Sequence, residues 1–204
     1  IRLSHPRRLV RERLELYAAM GLAACQSATV PTVLLFNESP HLEWLERAID
    51  LGFTMVMFAD ESLPFDRLEN MVQRTLGLAH GRGVAVEAEM GAPPGVSADL
   101  WDAPTNVAFT DPDTVAAFVR KTGVDALAVS LGNVHLHGRQ KVRLDVDRLD
   151  AIRAAVDVPL VLHAASSVDD ASLREGIAHG LRKINVGSAL LRAFFDAMRD
   201  AVVA

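Results

Sequence analysis

The stretch "GNVHLHGR", residues 132–139, sets His135 and His137 two positions apart just beyond the apolar run Ala126–Leu131. A further histidine closes the apolar run "VPLVLH", where His163 is followed by the small residues of "AASS". Two imidazoles at neighbouring run ends, joined by a carboxylate, form a ligand set for a divalent metal with an open coordination position. Carboxylates and amides stand at comparable ends: Asn37 and Glu38, Asp60 and Glu61, Glu87 and Glu89, and Asn185 with Ser188. Each has a plainer account as well. His163 can be a hydrogen-bonded core histidine, Glu87 and Glu89 an internal salt bridge, and His137 a surface residue. A polar residue at every run end is harder to explain plainly than one at a single end.

Two segments suggest where an anion would sit. In "KINVGSAL" a buried strand passes through Gly187 and Ser188 into a helix, and backbone N–H groups at such a turn can cradle a phosphate. "HAASS" supplies the second half through Ser166, and Arg139 is a candidate counter-charge. A small-residue turn that merely starts a helix is the alternative.

The elements that must position these residues alternate regularly. Val30–Phe36, "TMVMFA", "VAVEAEM", "VDALAVSL", "VPLVLH" and "KINVGSAL" read as strands, with a seventh ending near Ile1. Between them lie helical segments: "HLEWLERAIDLG", Phe65–His80, Asp111–Thr122, Asp147–Ala155, Asp169–Gly180 and a terminal helix. Near-continuous apolar strands separated by helices indicate a parallel sheet covered by helices. A barrel lacking its first βα unit and an open doubly wound sheet fit this pattern equally. In both, chemistry gathers at the C-terminal strand ends, where the polar residues above fall. Neither GxGxxG nor GxxxxGK[ST] follows a strand, which weighs against the common nucleotide-binding sheets.

The bulk composition narrows the class of protein. A 204-residue chain with a formal net charge of −5 and no basic stripe is expected to form one domain, residues 1–204, without a nucleic-acid partner. The arginines of "HPRRLVRER" read as a solvated helix face. Cys25 stands alone, so a disulfide framework is excluded, and its alanine-rich setting reads as packing in a reducing compartment. No apolar run reaches the ~18–20 residues of a membrane span, and no secretory leader is evident. The cytoplasm is the expected location. The start at Ile1 rather than Met suggests that upstream sequence is missing.

At this point four segments carry a resemblance: "RTLGLAHGRGVAVEAEMG", "FVRKTGVDALAVSLGNVH", "LDVDRLDAIRAAVDVPLVLHAASSV" and "GLRKINVGSAL". They resemble the class II, metal-dependent ketose-bisphosphate aldolases, and the likeness extends from about Leu14 to the C-terminus. The resemblance implies a (β/α)8 TIM barrel whose first βα unit is missing, with Zn²⁺ polarising a ketone and stabilising an enediolate. It implies that His135 and His163 bind the metal, and that Glu89 takes the place of the glutamate in the family's ELG motif. Ser166, Asn185, Gly187 and Ser188 fall around the phosphate and the dihydroxyacetone portion, and Arg139 stands where a lysine is usual.

This chain departs from the family pattern at its third-strand motif, where HxDH is replaced by "LFNE". Asn37 occupies the position of the proton-shuttling aspartate, and an amide does not titrate near neutrality. Glu38 replaces a histidine, turning three imidazole ligands into two imidazoles and a carboxylate. Leu136 replaces a glycine, and Ala164-Ala165 replaces a glycine pair. In the long loop, Val96 and Ser97 fall where acidic residues are expected.

The expectation is a divergent metal-dependent lyase acting on a phosphorylated ketose or related sugar, as a homodimer or homotetramer. Proton movement would fall to Glu87, Glu89 or Asp60. Two other readings stand beside it. One is a catalytically degenerate barrel serving as a partner subunit or binding protein; the other is a metal-dependent sugar-phosphate epimerase or isomerase.

Overall fold

The computed structural model describes residues 2–4, 13–60, 62–91, 108–135 and 141–203. The chain divides into two compact units, Ile1–Ala88 with Phe118–Ala126, and Glu89–Ala117 with Leu127–Ala204. No described helix is long and apolar enough to cross a membrane.

In the first unit, β1 (Arg2–Ser4), β2 (Leu35–Ser39), β3 (Met55–Phe58) and β4 (Ala85–Met90, whose last two residues belong to the second unit) follow chain order, and each pair is parallel. Parallel neighbours need crossovers, and the helices between these strands supply them. Helix α1 (Leu14–Ser27) precedes β2, α2 (Leu42–Asp50) joins β2 to β3, and α3 (Phe65–Ala79) joins β3 to β4. Helix α2 buries Leu45, Ala48 and Ile49, an i, i+3, i+4 stripe, and turns away at Gly52 with φ 94°. That left-handed conformation is open to glycine and costly for a residue with a Cβ. Phe36 and Phe53, both fully buried, meet edge to face with centroids 5.5 Å apart. Burying side chains of this size is worth about 1.5–3 kcal/mol each, which makes this pair a main anchor of β2.

The strand expected over Val30–Phe36 begins later, at Leu35. Pro31 has no N–H to give a ladder, and Val30 and Val33 are exposed. The pairing of β2 with β3 slips between Phe36 and Ser39, and Glu38 inside that slip has φ 53°. The expected helices agree with those observed to within one or two residues, while the seventh strand, expected to end near Ile1, instead follows it as β1. The segment "HPRRLVRER" lies outside the described residues, apart from its final arginine.

The second unit contains β5 (Ala126–Val129) from Leu127 onward, β6 (Leu160–Leu162) and β7 (Leu181–Ile184), which again run in chain order with parallel pairing. Helix α4 (Pro112–Thr122) precedes β5, while α5 (Val146–Ala155), α6 (Asp170–Ala178) and α7 (Ser188–Val203) follow β5, β6 and β7. Two starts are capped by aspartates: Asp145 accepts from the Arg148 N–H and Asp169 from the Ser172 N–H, each at 2.9 Å. Leu127, Leu149, Ile152, Leu160, Val161 and Leu162 are fully buried between helices and strands.

Thr110 fastens the ends of two strands on either side of residues 92–107. Its hydroxyl donates to the Met90 carbonyl at 2.6 Å and accepts from the Ser130 N–H at 2.8 Å. Its own N–H donates to the Ser130 carbonyl at 3.0 Å. A Cβ on Gly91 would come within 2.9 Å of that hydroxyl, so the glycine is required for this close approach. Helix α7 leaves Leu190, Leu191, Phe194, Phe195, Met198 and Val202 exposed.

Candidate active site

Strand β6 ends at Leu162, and the next residue, His163, is 1% exposed. Its Nδ1 lies 3.1 Å from Oε1 of Glu89, which sits near the end of β4 with its side chain 13% exposed. Alternation along β4 sends Glu87 and Glu89 to the same face, and Glu87 is fully buried. A carboxylate against a buried imidazole either orients the ring by accepting from its N–H or shares a cation with it. Both roles demand that the ring be held, and the backbone after it is unusual. Ala164 has φ 52°, a left-handed conformation that costs an alanine on the order of 1–2 kcal/mol. Glycine is the residue best suited to this conformation, so the turn is held here without it.

His135 does not end a strand. Strand β5 stops at Val129, and residues 130–135 run on without regular structure, His135 being half-buried. Two contacts hold this segment to the turn after His163. Asn133, fully buried, donates from Nδ2 to the His163 carbonyl at 3.0 Å, and its Oδ1 accepts from the Leu131 N–H at 2.8 Å. One residue on, the Val134 N–H donates to Ser167 Oγ at 3.4 Å. Neither Asn133 nor Ser167 stands out in the sequence as a site residue. The only signal there is an asparagine two residues before one histidine and a serine four residues after the other.

Ser166, Asn185, Gly187 and Ser188 form a second group. The Ser166 hydroxyl accepts from the backbone N–H groups of Gly187 at 3.3 Å and Ala189 at 3.1 Å. The expected cluster of donors therefore exists at the start of α7, with a serine oxygen as its present acceptor. Lys141 donates to the Ser166 carbonyl at 2.7 Å, which brings a cation beside this turn. Asn185 is buried, its Oδ1 accepts from Lys183 Nζ at 2.8 Å, and its Nδ2 has no hydrogen-bond partner among the described residues. Arg139, the expected counter-charge, and Leu136, His137, Val96 and Ser97 all lie outside the described residues.

In the first unit, Asn37 is 1% exposed, and neither atom of its amide has a hydrogen-bond partner among the described residues. A buried polar group left unmatched costs roughly 1–3 kcal/mol, which a purely structural residue has no reason to carry. Glu38, the next residue, is half-buried in its left-handed conformation. Asp60 is engaged locally, where its Oδ1 accepts from the Ser62 hydroxyl at 2.6 Å and the Ser62 N–H at 3.0 Å. That Asx turn accounts for its place after β3 without proton transfer.

Parallel strands in chain order, crossed by helices and ending in a buried histidine–carboxylate pair, define a βα-repeat protein with a candidate metal site at its strand ends. The chain belongs to the class-II fructose-bisphosphate aldolase family, whose pattern matches residues 4–203. It is 35% identical over 171 residues to a 6-phospho-5-dehydro-2-deoxy-D-gluconate aldolase of Shouchella clausii, covering 84% of this chain and 57% of that relative. The crystal structure of the YdjI aldolase from Escherichia coli K12 is similar at 30% identity and a TM-score of 0.76, over 92% of this chain and 64% of that one. A fructose-bisphosphate aldolase from Campylobacter jejuni shares the fold, with a TM-score of 0.70 at 21% identity over 91% of this chain and 60% of that one. The chain therefore spans about three-fifths of the length of these relatives.

Proposed function

We propose that this chain is part of a divergent class II aldolase-like lyase, one that makes or breaks a carbon–carbon bond in a phosphorylated ketose or related sugar acid. The observation that carries this reading is the Glu89–His163 contact, a metal-competent pair at the strand ends of a chain from a metal-dependent family. The donor set fits a divalent ion: a buried imidazole beside a carboxylate, with a second histidine tethered to the same turn. His135 and His163 would hold the ion, proposed to be Zn²⁺, and Glu38 is proposed as the third ligand from its sequence position. The ion, when bound, supplies a Lewis acid that stabilises an enediolate. Ser166, Gly187 and Ser188 would bind the phosphate through backbone donors, and Arg139 is proposed as a counter-charge there.

What the chain's own residues do is more specific. Asn37 cannot exchange a proton, so it would bind a substrate hydroxyl, using both a donor and an acceptor. The buried, unmatched amide supports that role. Glu89 is the carboxylate placed to hold the His163 ring, and Asn185 offers Nδ2 to a substrate oxygen. The eight-stranded barrel, a cytoplasmic location and a homodimeric or homotetrameric state belong to the same proposal.

The test offers purified protein fructose 1,6-bisphosphate and 6-phospho-5-dehydro-2-deoxy-D-gluconate, with product analysis and metal quantification. Metal-dependent cleavage of the second substrate with little of the first supports the reading. Robust fructose-bisphosphate cleavage would return the chain to the ordinary aldolases. Interconversion of sugar phosphates without cleavage would make it an isomerase, and protein without a divalent metal would favour a binding role.

A further inference from the structure

We propose that Asn133, assisted by Ser167, is the positioning residue that sets the backbone of His163 and ties it to the segment bearing His135; this rests on the metal-binding reading above. The need arises because the strand ladder stops short. The pairs Leu127↔Leu160 and Ala128↔Val161 register β5 against β6, and β5 ends at Val129. Both histidines lie beyond that ladder, so the pairing of β5 with β6 does not fix one against the other.

Side-chain bonds take over there. The Asn133 amide presents a donor and an acceptor on separate edges of one plane, and both are used. Oδ1 accepts from the Leu131 N–H at 2.8 Å, and Nδ2 donates to the His163 carbonyl at 3.0 Å. The first bond folds residues 131–133 back on themselves, helped by Gly132 at φ 97°. The second pins the peptide that immediately follows the His163 ring. Ser167 closes the stitch from the other side. Its Oγ accepts from the Val134 N–H at 3.4 Å and donates to the carbonyl of the left-handed Ala164 at 2.9 Å. Val134 is thus tethered next to His135, and Ala164 next to His163.

The chemistry of residue 133 is restrictive. Aspartate keeps the acceptor and the shape but has no donor for the His163 carbonyl. Serine is too short to bridge both partners, and glutamine is one methylene too long. Asn133 is wholly shielded from solvent, so bulk water does not replace a lost bond. Without it the His163 carbonyl loses its anchor toward β5, and the ring loses its fixed approach to Glu89.

The test compares wild type with Asn133→Asp and Ser167→Ala. Two measurements are made: Co²⁺ titration followed by its visible absorption, and ¹⁵N imidazole NMR of the metal-free protein. Thermal unfolding checks that each variant is folded. In N133D, Co²⁺ affinity is expected to fall about tenfold to a hundredfold, as for other groups that orient metal ligands. The absorption band should change with it, and the His163 imidazole resonances should shift in the absence of metal. S167A should move both readouts the same way by less. If the buried carboxylate prevents folding, Asn133→Ala, which adds no charge, gives the same comparison. Folded N133D, or folded N133A in its place, with unchanged affinity, band and imidazole resonances would overturn the proposal. If wild type itself takes up no Co²⁺, the metal-binding reading falls, and the NMR comparison still decides whether Asn133 sets the His163 ring.

Discussion

Glu89 Oε1 lies 3.1 Å from Nδ1 of His163, a residue almost wholly buried. A carboxylate so close to a buried imidazole fixes its orientation. Replacing Glu89 by Gln keeps the shape and removes the charge. Divalent-metal affinity measured by calorimetry is expected to fall about tenfold to a hundredfold, while the protein stays folded.

Ala164 bears the strain of the turn behind His163. Its φ of 52° predicts that Ala164→Gly stabilises the protein. Relief of about 1–2 kcal/mol of left-handed strain is partly offset by the extra chain entropy of glycine, about 0.5–1 kcal/mol. A net gain of roughly 0.5–1 kcal/mol should appear as a higher urea midpoint. Ala164→Val should lower it, since a β-branched residue tolerates this conformation less well.

Asn37 should trade stability for function. Its buried amide has no partner among the described residues, so Asn37→Leu is expected to raise the unfolding free energy by about 1–3 kcal/mol. The same change should abolish carbon–carbon cleavage of whichever substrate the protein accepts. Chemical denaturation and product assays on one preparation check both halves.

Fructose-bisphosphate cleavage is expected to be very weak, because a positioned acid–base group contributes about 10²–10⁴-fold and the resemblance to the family puts Asn37 in its place. Asn37→Asp alone should restore only part of that rate. Glu38, if it binds the ion, adds negative charge and makes it a poorer Lewis acid. Initial rates of wild type, N37D and N37D/E38H rank these contributions, with the double variant expected fastest.

Acid sensitivity follows from Asp111 at the start of α4. Its carboxyl is held below the ordinary value by the hydroxyl of Thr114 at 2.6 Å and then by the Thr114 N–H at 2.9 Å. A lowered carboxylate contributes stability that is complete above its unfolded pKa and lost as pH falls through the lower folded value. Wild type should therefore lose stability relative to Asp111→Asn as pH drops through the acid side of the usual carboxylate range. Urea unfolding from about pH 6 down to about pH 3 spans that window and measures the difference.

Much of the sheet was legible because its cause is periodic. Apolar runs such as "VPLVLH" are buried on both faces, and the polar residues that end them mark the strand tips. Val30–Phe36 misleads because β-branched residues favour strands while Pro31 cannot complete a ladder, and only the register shows where pairing starts. His163 was legible from its run; the irregular path to His135 was not. That path depends on one asparagine amide reaching a carbonyl thirty residues away, a bond with no sequence period. Ser166 reads in sequence as a phosphate contact, yet it accepts the amides itself, since a hydroxyl lying against a helix start can satisfy the same donors.

The serine oxygen at the head of α7 acts as an internal competitor. An anion that took the Gly187 and Ala189 amides would first have to displace it, and a weak acceptor such as chloride would gain too little to do so. A doubly charged phosphoryl group gains far more from the same two donors. If the proposed phosphate site is the right one, the hydroxyl would set a threshold there that favours the more basic anions.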